Sequence, residues 1–203
     1  MRTPVLDVFR PGFHRFCRFY FRLELRGTQH IPADGPVIIA PNHQTFADPP
    51  LVTIPIHRPV FYMAWSRLFD LPVFGRFIRA LRAFPVDIEA SDGRAVREAA
   101  RLLRAGEALM IFPEGGRTPD GRLQPFKIGA FRLAVAHDVP VLPVTITGGF
   151  EAWPPGRALP GRGHVTITYH PLERPVPGIN RRGAAQDLHD RVVSAITRGL
   201  EKG

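Results

Sequence analysis

Cysteine is almost absent from this chain. Cys17 stands alone among 203 residues, so no intramolecular disulfide can form and no cysteine cluster can hold a metal. Lysine is nearly as scarce: only Lys127 and Lys202 carry it, and arginine supplies the rest of the cations behind a formal net charge of +9. No apolar run approaches the roughly 18–20 residues needed to cross a bilayer. Arginines interrupt the one aromatic-rich stretch near the start, which argues against a secretory leader. No serine sits in a Gly-x-Ser-x-Gly elbow, so a serine acyl-enzyme has no support. Zinc-finger spacing, a helix-turn-helix signature and an RNA-binding aromatic motif are all missing, which leaves positive charge as the sole support for a nucleic-acid binder. The histidines are scattered and give no clear third ligand for a metal.

What is present suffices for one domain with a substantial core, at 44% hydrophobic residues. Apolar runs at residues 37–40, 60–64, 108–112, 141–146 and 165–169 read as strands. Helical spacing appears over residues 93–105, with Val96, Ala99, Ala100 and Leu103 on one face, and again over 128–137. A third helix is expected over 184–200, where Leu188, Val192, Val193, Ile196 and Leu200 share a side. Strands alternating with helices predict an α/β fold, a single domain whose central, mostly buried sheet is flanked by helices. The Pro- and Gly-rich stretch 153–163 reads as a long loop inside that domain.

Residues 1–24 are set apart by composition and precede the domain expected over 25–203. Phe9, Phe13, Phe16 and Tyr20 follow one another at 4-3-4 spacing, interleaved with Arg10, His14, Arg15, Arg18 and Arg22. Either this is a basic amphipathic helix on an anionic membrane surface, or the aromatics pack on the domain and the arginines are solvated. The expected location is cytoplasmic, peripheral on the inner face of a membrane.

Two segments carry chemistry. Asn42-His43-Gln44-Thr45-Phe46-Ala47-Asp48 follows the first apolar run directly. An imidazole backed by a carboxylate is the minimum equipment for taking a proton from an alcohol near neutral pH. On one ideal helix the two side chains would point roughly 140° apart. They can meet only with His43 in a turn and Asp48 in the first turn of a helix, which Pro49 and Pro50 suit. The alternative is that Asp48 is an ordinary helix cap and His43 a turn residue. The second segment, Phe112-Pro113-Glu114-Gly115-Gly116-Arg117-Thr118, also closes an apolar run. Its glycines let the backbone approach an anion closely, and Arg117 offers a planar fork of donors. Glu114 could hold Arg117 or bond a substrate hydroxyl; an ordinary Gly-rich loop with a surface ion pair is the plainer alternative.

Together these segments resemble the glycerolipid acyltransferase family, which includes the 1-acylglycerol-3-phosphate acyltransferases. The first matches the family's Asn-His-x-x-x-x-Asp. The second matches Phe-Pro-Glu-Gly-Thr-Arg-Ser apart from Gly116 and Thr118. Ala83-Phe84-Pro85-Val86-Asp87, Pro125-Phe126-Lys127-Ile128-Gly129 and Val139-Pro140-Val141-Leu142-Pro143-Val144 follow the family order, so the likeness spans about residues 31 to 170. Two departures stand out: Trp65 occupies the place of a phosphate-binding lysine, and Ile88 follows Asp87 where arginine is usual. Arg67, Arg82 and Lys127 are candidate replacements.

The resemblance implies transfer of a fatty acyl group from acyl-CoA or acyl carrier protein to a lysophospholipid, 1-acylglycerol-3-phosphate first among them. In that scheme His43 is the general base and Asp48 orients it. Glu114, Gly115, Gly116, Arg117 and Lys127 bind the acceptor's anionic part, and Pro143 shapes the wall beside them. Phe46, Trp65 and Phe126 are candidates to line an acyl groove. No cofactor and no metal is implied. The alternatives are another lysolipid acceptor, a thioesterase that activates water with the same pair, and, more distantly, a nucleic-acid binder.

Overall fold

The structure, a computed structural model, describes residues 4–87 and 93–201, with the side chains of residues 4–10 excepted. Ile88, Lys202 and the side chains of Phe9 and Arg10 therefore lie outside the described residues.

Seven strands form one sheet in the order β1 (Glu24–Arg26), β7 (Thr166–Tyr169), β6 (Val141–Thr147), β2 (Val37–Pro41), β5 (Ala108–Met110), β3 (Val60–Trp65), β4 (Ala83–Val86). Every neighbouring pair is parallel except β6 with β7. β2 sits at the centre and is buried along its whole length. Its side chains alternate between two cores, as the period of a strand requires. Val37 and Ile39 join Leu51, Val52, Met110, Leu142 and Tyr169 on one face. Ile38 and Ala40 join Leu102, Leu109, Phe131, Leu188 and Val192 on the other.

The first face is covered by α1 (Pro4–Tyr20) and α2 (Asp48–Val52), the second by α4 (Gly93–Arg104), α5 (Gly129–His137) and α7 (Arg181–Glu201). The expected α/β domain and its five strands are present. β1 and β4 were not anticipated: β1 is three residues with two charges, and β4 is an edge strand that tolerates Pro85. Two short helices, α3 (Pro72–Ala80) and α6 (Gly149–Ala152), are likewise additions. In α4 the buried face is Ala95, Ala99, Ala100, Leu102 and Leu103, whereas Val96 is 55% exposed, a correction to the expected stripe. Cys17 in the last turn of α1 and Phe21 just after it enter the first core, and burial pushes the Cys17 thiol up to about 11, so it stays an unreactive thiol. Phe19 on the same helix is 77% exposed.

Among the described residues no helix is long and apolar enough to cross a membrane.

Candidate active site

β2 and β5 are parallel neighbours, and the turns that follow them are the two motif segments. The offset of 71 residues that pairs Ile39 with Met110 also brings His43 to Glu114. The motifs meet because the strands before them are in register.

The turn after β2 is held by its own side chains. Pro41 ends the strand, and Asn42 continues the pairing with β6 through its amide: Nδ2–H donates to the Ile146 carbonyl at 3.0 Å, and Oδ1 accepts the Ile146 N–H at 2.7 Å. The Gln44 Oε1 accepts the N–H groups of Gly149 and Phe150 at 2.9 and 3.2 Å, which fixes the turn to α6. A Cβ on Gly149 would lie 2.7 Å from that same oxygen, so the contact requires glycine.

Asp48 opens α2, and its carboxylate points back into the turn instead of capping the helix. The two prolines after it explain this, since they lack the first N–H groups a cap would bind. Fully buried, the carboxylate accepts four hydrogen bonds. Oδ2 receives Gln44 N–H (2.6 Å), Thr45 N–H (2.8 Å) and His43 Nδ1 (2.8 Å); Oδ1 receives the Thr45 hydroxyl (2.7 Å). Because Asp48 accepts, the hydrogen on the neutral imidazole is at Nδ1, and Nε2 keeps its lone pair. The ring is stacked on Phe112 with centroids 3.8 Å apart.

Glu114 has a different place from the one expected. Its Oε1 accepts the backbone N–H of His43 at 2.6 Å and its Oε2 that of Gln124 at 2.9 Å. Both oxygens are thus occupied within the protein, and Glu114 neither holds Arg117 nor lines the cavity; it joins the two turns. Burial raises its pKa to about 7 against the opposing pull of these two donors. The His43 carbonyl completes the junction by accepting the Thr118 N–H at 2.8 Å.

A cavity of about 1540 Å³ opens in front of these turns, lined by His43, Gly115, Gly116, Arg117 and Lys127 with Phe46 and Trp65. Its walls are mostly apolar, drawn from α1, α3 and β3 among others. Arg117 lies over Phe46, its guanidinium carbon 3.5 Å from the ring centroid, and no carboxylate pairs it among the described residues. Lys127 folds its ammonium against Gly115, whose φ of 77° and lack of a side chain both serve that approach.

Two expected residues fall elsewhere. Pro143 is buried in β6 beside Ala40, outside the cavity lining. Phe126 belongs to the second core. Of the candidate replacement cations, Arg82 lines the cavity and stacks on Phe61, while Arg67 is exposed and rests over Trp65. Asn42, Gln44, Thr45 and Gln124 were not singled out beforehand, although three of them lie inside the first motif. Among the described residues no group of three or more His, Cys, Asp or Glu could hold a metal ion. Chemically, the site offers an oriented base, an unpaired cation and an apolar space.

Comparison with known proteins adds the lineage. A family model described as Acyltransferase matches residues 22–147. The chain is 28% identical over 207 residues to a chloroplastic 1-acyl-sn-glycerol-3-phosphate acyltransferase of Brassica napus, an alignment that takes in 95% of this chain and 58% of the relative. It is 31% identical over 146 residues to the 1-acyl-sn-glycerol-3-phosphate acyltransferase of Bacillus subtilis, covering 66% of this chain and 71% of that one. The crystal structure of the 1-acyl-sn-glycerophosphate acyltransferase PlsC from Thermotoga maritima superposes with a TM-score of 0.76 at 30% identity, over 95% of this chain and 79% of that one. The chain spans little more than half the length of the plant relatives.

Proposed function

The chain belongs to the glycerolipid acyltransferase family, and from that premise we propose that it moves a fatty acyl group from a thioester to the free hydroxyl of a lysophospholipid, 1-acylglycerol-3-phosphate giving phosphatidic acid. The observation that carries this reading is the His43–Asp48 pair, 2.8 Å apart, facing a large apolar cavity beside an unpaired arginine.

In the reaction, His43 Nε2 takes the proton of the acceptor hydroxyl as its oxygen attacks the thioester carbonyl. Asp48 holds the ring in the tautomer that leaves Nε2 free and stabilises the imidazolium that forms. Collapse of the tetrahedral intermediate breaks the C–S bond, and the proton on His43 passes to the departing thiolate. Arg117 and Lys127 bind the acceptor phosphate, with Gly115 and Gly116 letting it come close to the backbone. Glu114 is a positioning residue that keeps the two turns together. The acyl chains occupy the apolar walls, Phe46 and Trp65 among them. Residues 1–24 meet the membrane in which the acceptor resides, and the domain from residue 25 onward carries the chemistry. The donor is acyl-CoA or acyl carrier protein.

The test is thiol release from palmitoyl-CoA by purified protein, with and without lysophosphatidic acid, together with mass spectrometry of the lipids. Release that requires the acceptor and yields phosphatidic acid is the expected result. Release independent of the acceptor would make the protein a thioesterase.

A further inference from the structure

The helix α3 turns an apolar side away from the protein. It buries Gly75 and Ile78, and Gly75 is set against the backbone of Phe69 so tightly that a Cβ there would collide. At 100° per residue, Val73, Phe77 and Ala80 fall on the opposite side. Val73 is 84% exposed and Phe77 57%, and Leu71, just before the helix, is 52% exposed. Single exposed apolar residues are ordinary, but here Leu71, Val73, Phe74 and Phe77 are exposed within seven residues, Val73 and Phe77 are neighbours at helical spacing, and the Phe74 and Phe77 rings lie 6.4 Å apart. Exposed Arg76 and Arg79 border it, with Asp70 the acid of this segment. The Arg79 guanidinium rests 5.0 Å from the Phe69 ring centroid, which keeps that charge at the patch's edge. Phe74 and Phe77 also line the active-site cavity, as do Phe13 and Phe16 of α1.

We propose that α3 is a lipid-contacting wedge, a second membrane contact that inserts Leu71, Val73 and Phe77 among acyl chains while Arg76 and Arg79 meet the phosphates of anionic lipids. Charge complementarity selects this occupant: an apolar crest edged by arginines suits a surface that is negative outside and hydrocarbon beneath. A second copy of the chain suits it less, because a two-fold contact through this patch would bring the same arginines together. Continuity with the cavity gives the wedge a purpose, since lipid entering between α1 and α3 arrives at His43 without crossing water. The proposal rests on the acyl-transfer reading for that purpose, and on exposure and charge alone for the contact itself.

The test is co-sedimentation of the full chain with vesicles of phosphatidylcholine mixed with an equal part of phosphatidylglycerol, and with phosphatidylcholine alone. The variant is Leu71→Ser with Val73→Ser; residue 71 holds the N-cap position of α3, where serine favours the helix, and neither residue lines the cavity. Partitioning onto the mixed vesicles is expected to fall about tenfold, while thiol release from a water-soluble short-chain thioester and acceptor stays unchanged. Equal partitioning of variant and parent would overturn the proposal. So would a parent that sediments as a dimer and a variant that sediments as a monomer, which would give the patch to a second copy. If the double variant misfolds, Arg76→Gln decides: it should weaken binding to the anionic vesicles about fivefold and leave binding to phosphatidylcholine unchanged, and no difference on either vesicle overturns the wedge. Failure of the acyl-transfer reading shows separately, as absence of thiol release from parent and variant alike.

Discussion

The two turns that face the cavity are built in opposite ways. After β2, the polar groups are saturated: Asp48 accepts four hydrogen bonds, and the amides of Asn42 and Gln44 are tied to β6 and α6. After β5, Gly115, Gly116 and Arg117 face the cavity, and Arg117 is steadied by the ring of Phe46, with no carboxylate in salt-bridge contact among the described residues. In the proposed reaction the group that moves a proton is fixed, since small misplacements of a base cost large factors in rate. The group proposed to meet a head group keeps its donors uncommitted. Glu114 links the two halves by giving one oxygen to each.

Breaking the closed half should have the largest effect. His43→Ala is expected to lower kcat by about a thousandfold or more with the fold retained, as read by turnover and circular dichroism; activity within tenfold of the parent would remove His43 as the base. The link comes next. Because burial holds the Glu114 pKa near 7, above its ordinary 4.5, the unfolded chain loses this proton first as pH rises. The stability Glu114 contributes is therefore complete below about pH 4.5 and lost by about pH 7, a change on the order of 3 kcal/mol. Urea unfolding across that range should show this decline, and Glu114→Gln should flatten it.

Opening the other half should cost less. Arg117→Ala is expected to raise the acceptor KM by about ten- to a hundredfold with kcat largely kept; a change confined to the acyl donor would place Arg117 wrongly. Smallest is Phe46→Leu, which removes the ring beneath the guanidinium. It should raise the acceptor KM about threefold, with Phe46→Tyr restoring it. If Phe46→Leu lowered kcat as much as His43→Ala, the two halves would not be separable.

The motifs were legible in the sequence because each is local: a base and its carboxylate five residues apart, and glycines beside an arginine. The buried strands were legible because β2, β5 and β6 are apolar on both faces. The role of Glu114 was not, because its partners are backbone N–H groups on other segments, and only strand register brings them near. The roles of Asn42 and Gln44 were not legible for a related reason: although both lie in the first motif, the backbone groups their amides bond are on β6 and α6, more than a hundred residues away. α3 was hidden by its composition, since Gly75 weakens the helical reading and most of its apolar residues face outward, leaving Ile78 as the one large buried side chain.

The register between β2 and β5 has a consequence for how such a chain can change. His43 and Glu114 are joined across the sheet, whereas along the chain they are separated by α2, β3, α3, β4 and α4. Beyond α2, which carries Asp48, that excursion can lengthen, shorten or exchange its surface helices without moving the base relative to its anchor, provided Ile39 still faces Met110. A shift of one residue in that pairing would undo the site at once. The segment proposed to meet the lipid is thus free to drift, and the turns that carry His43, Asp48 and Glu114 are not.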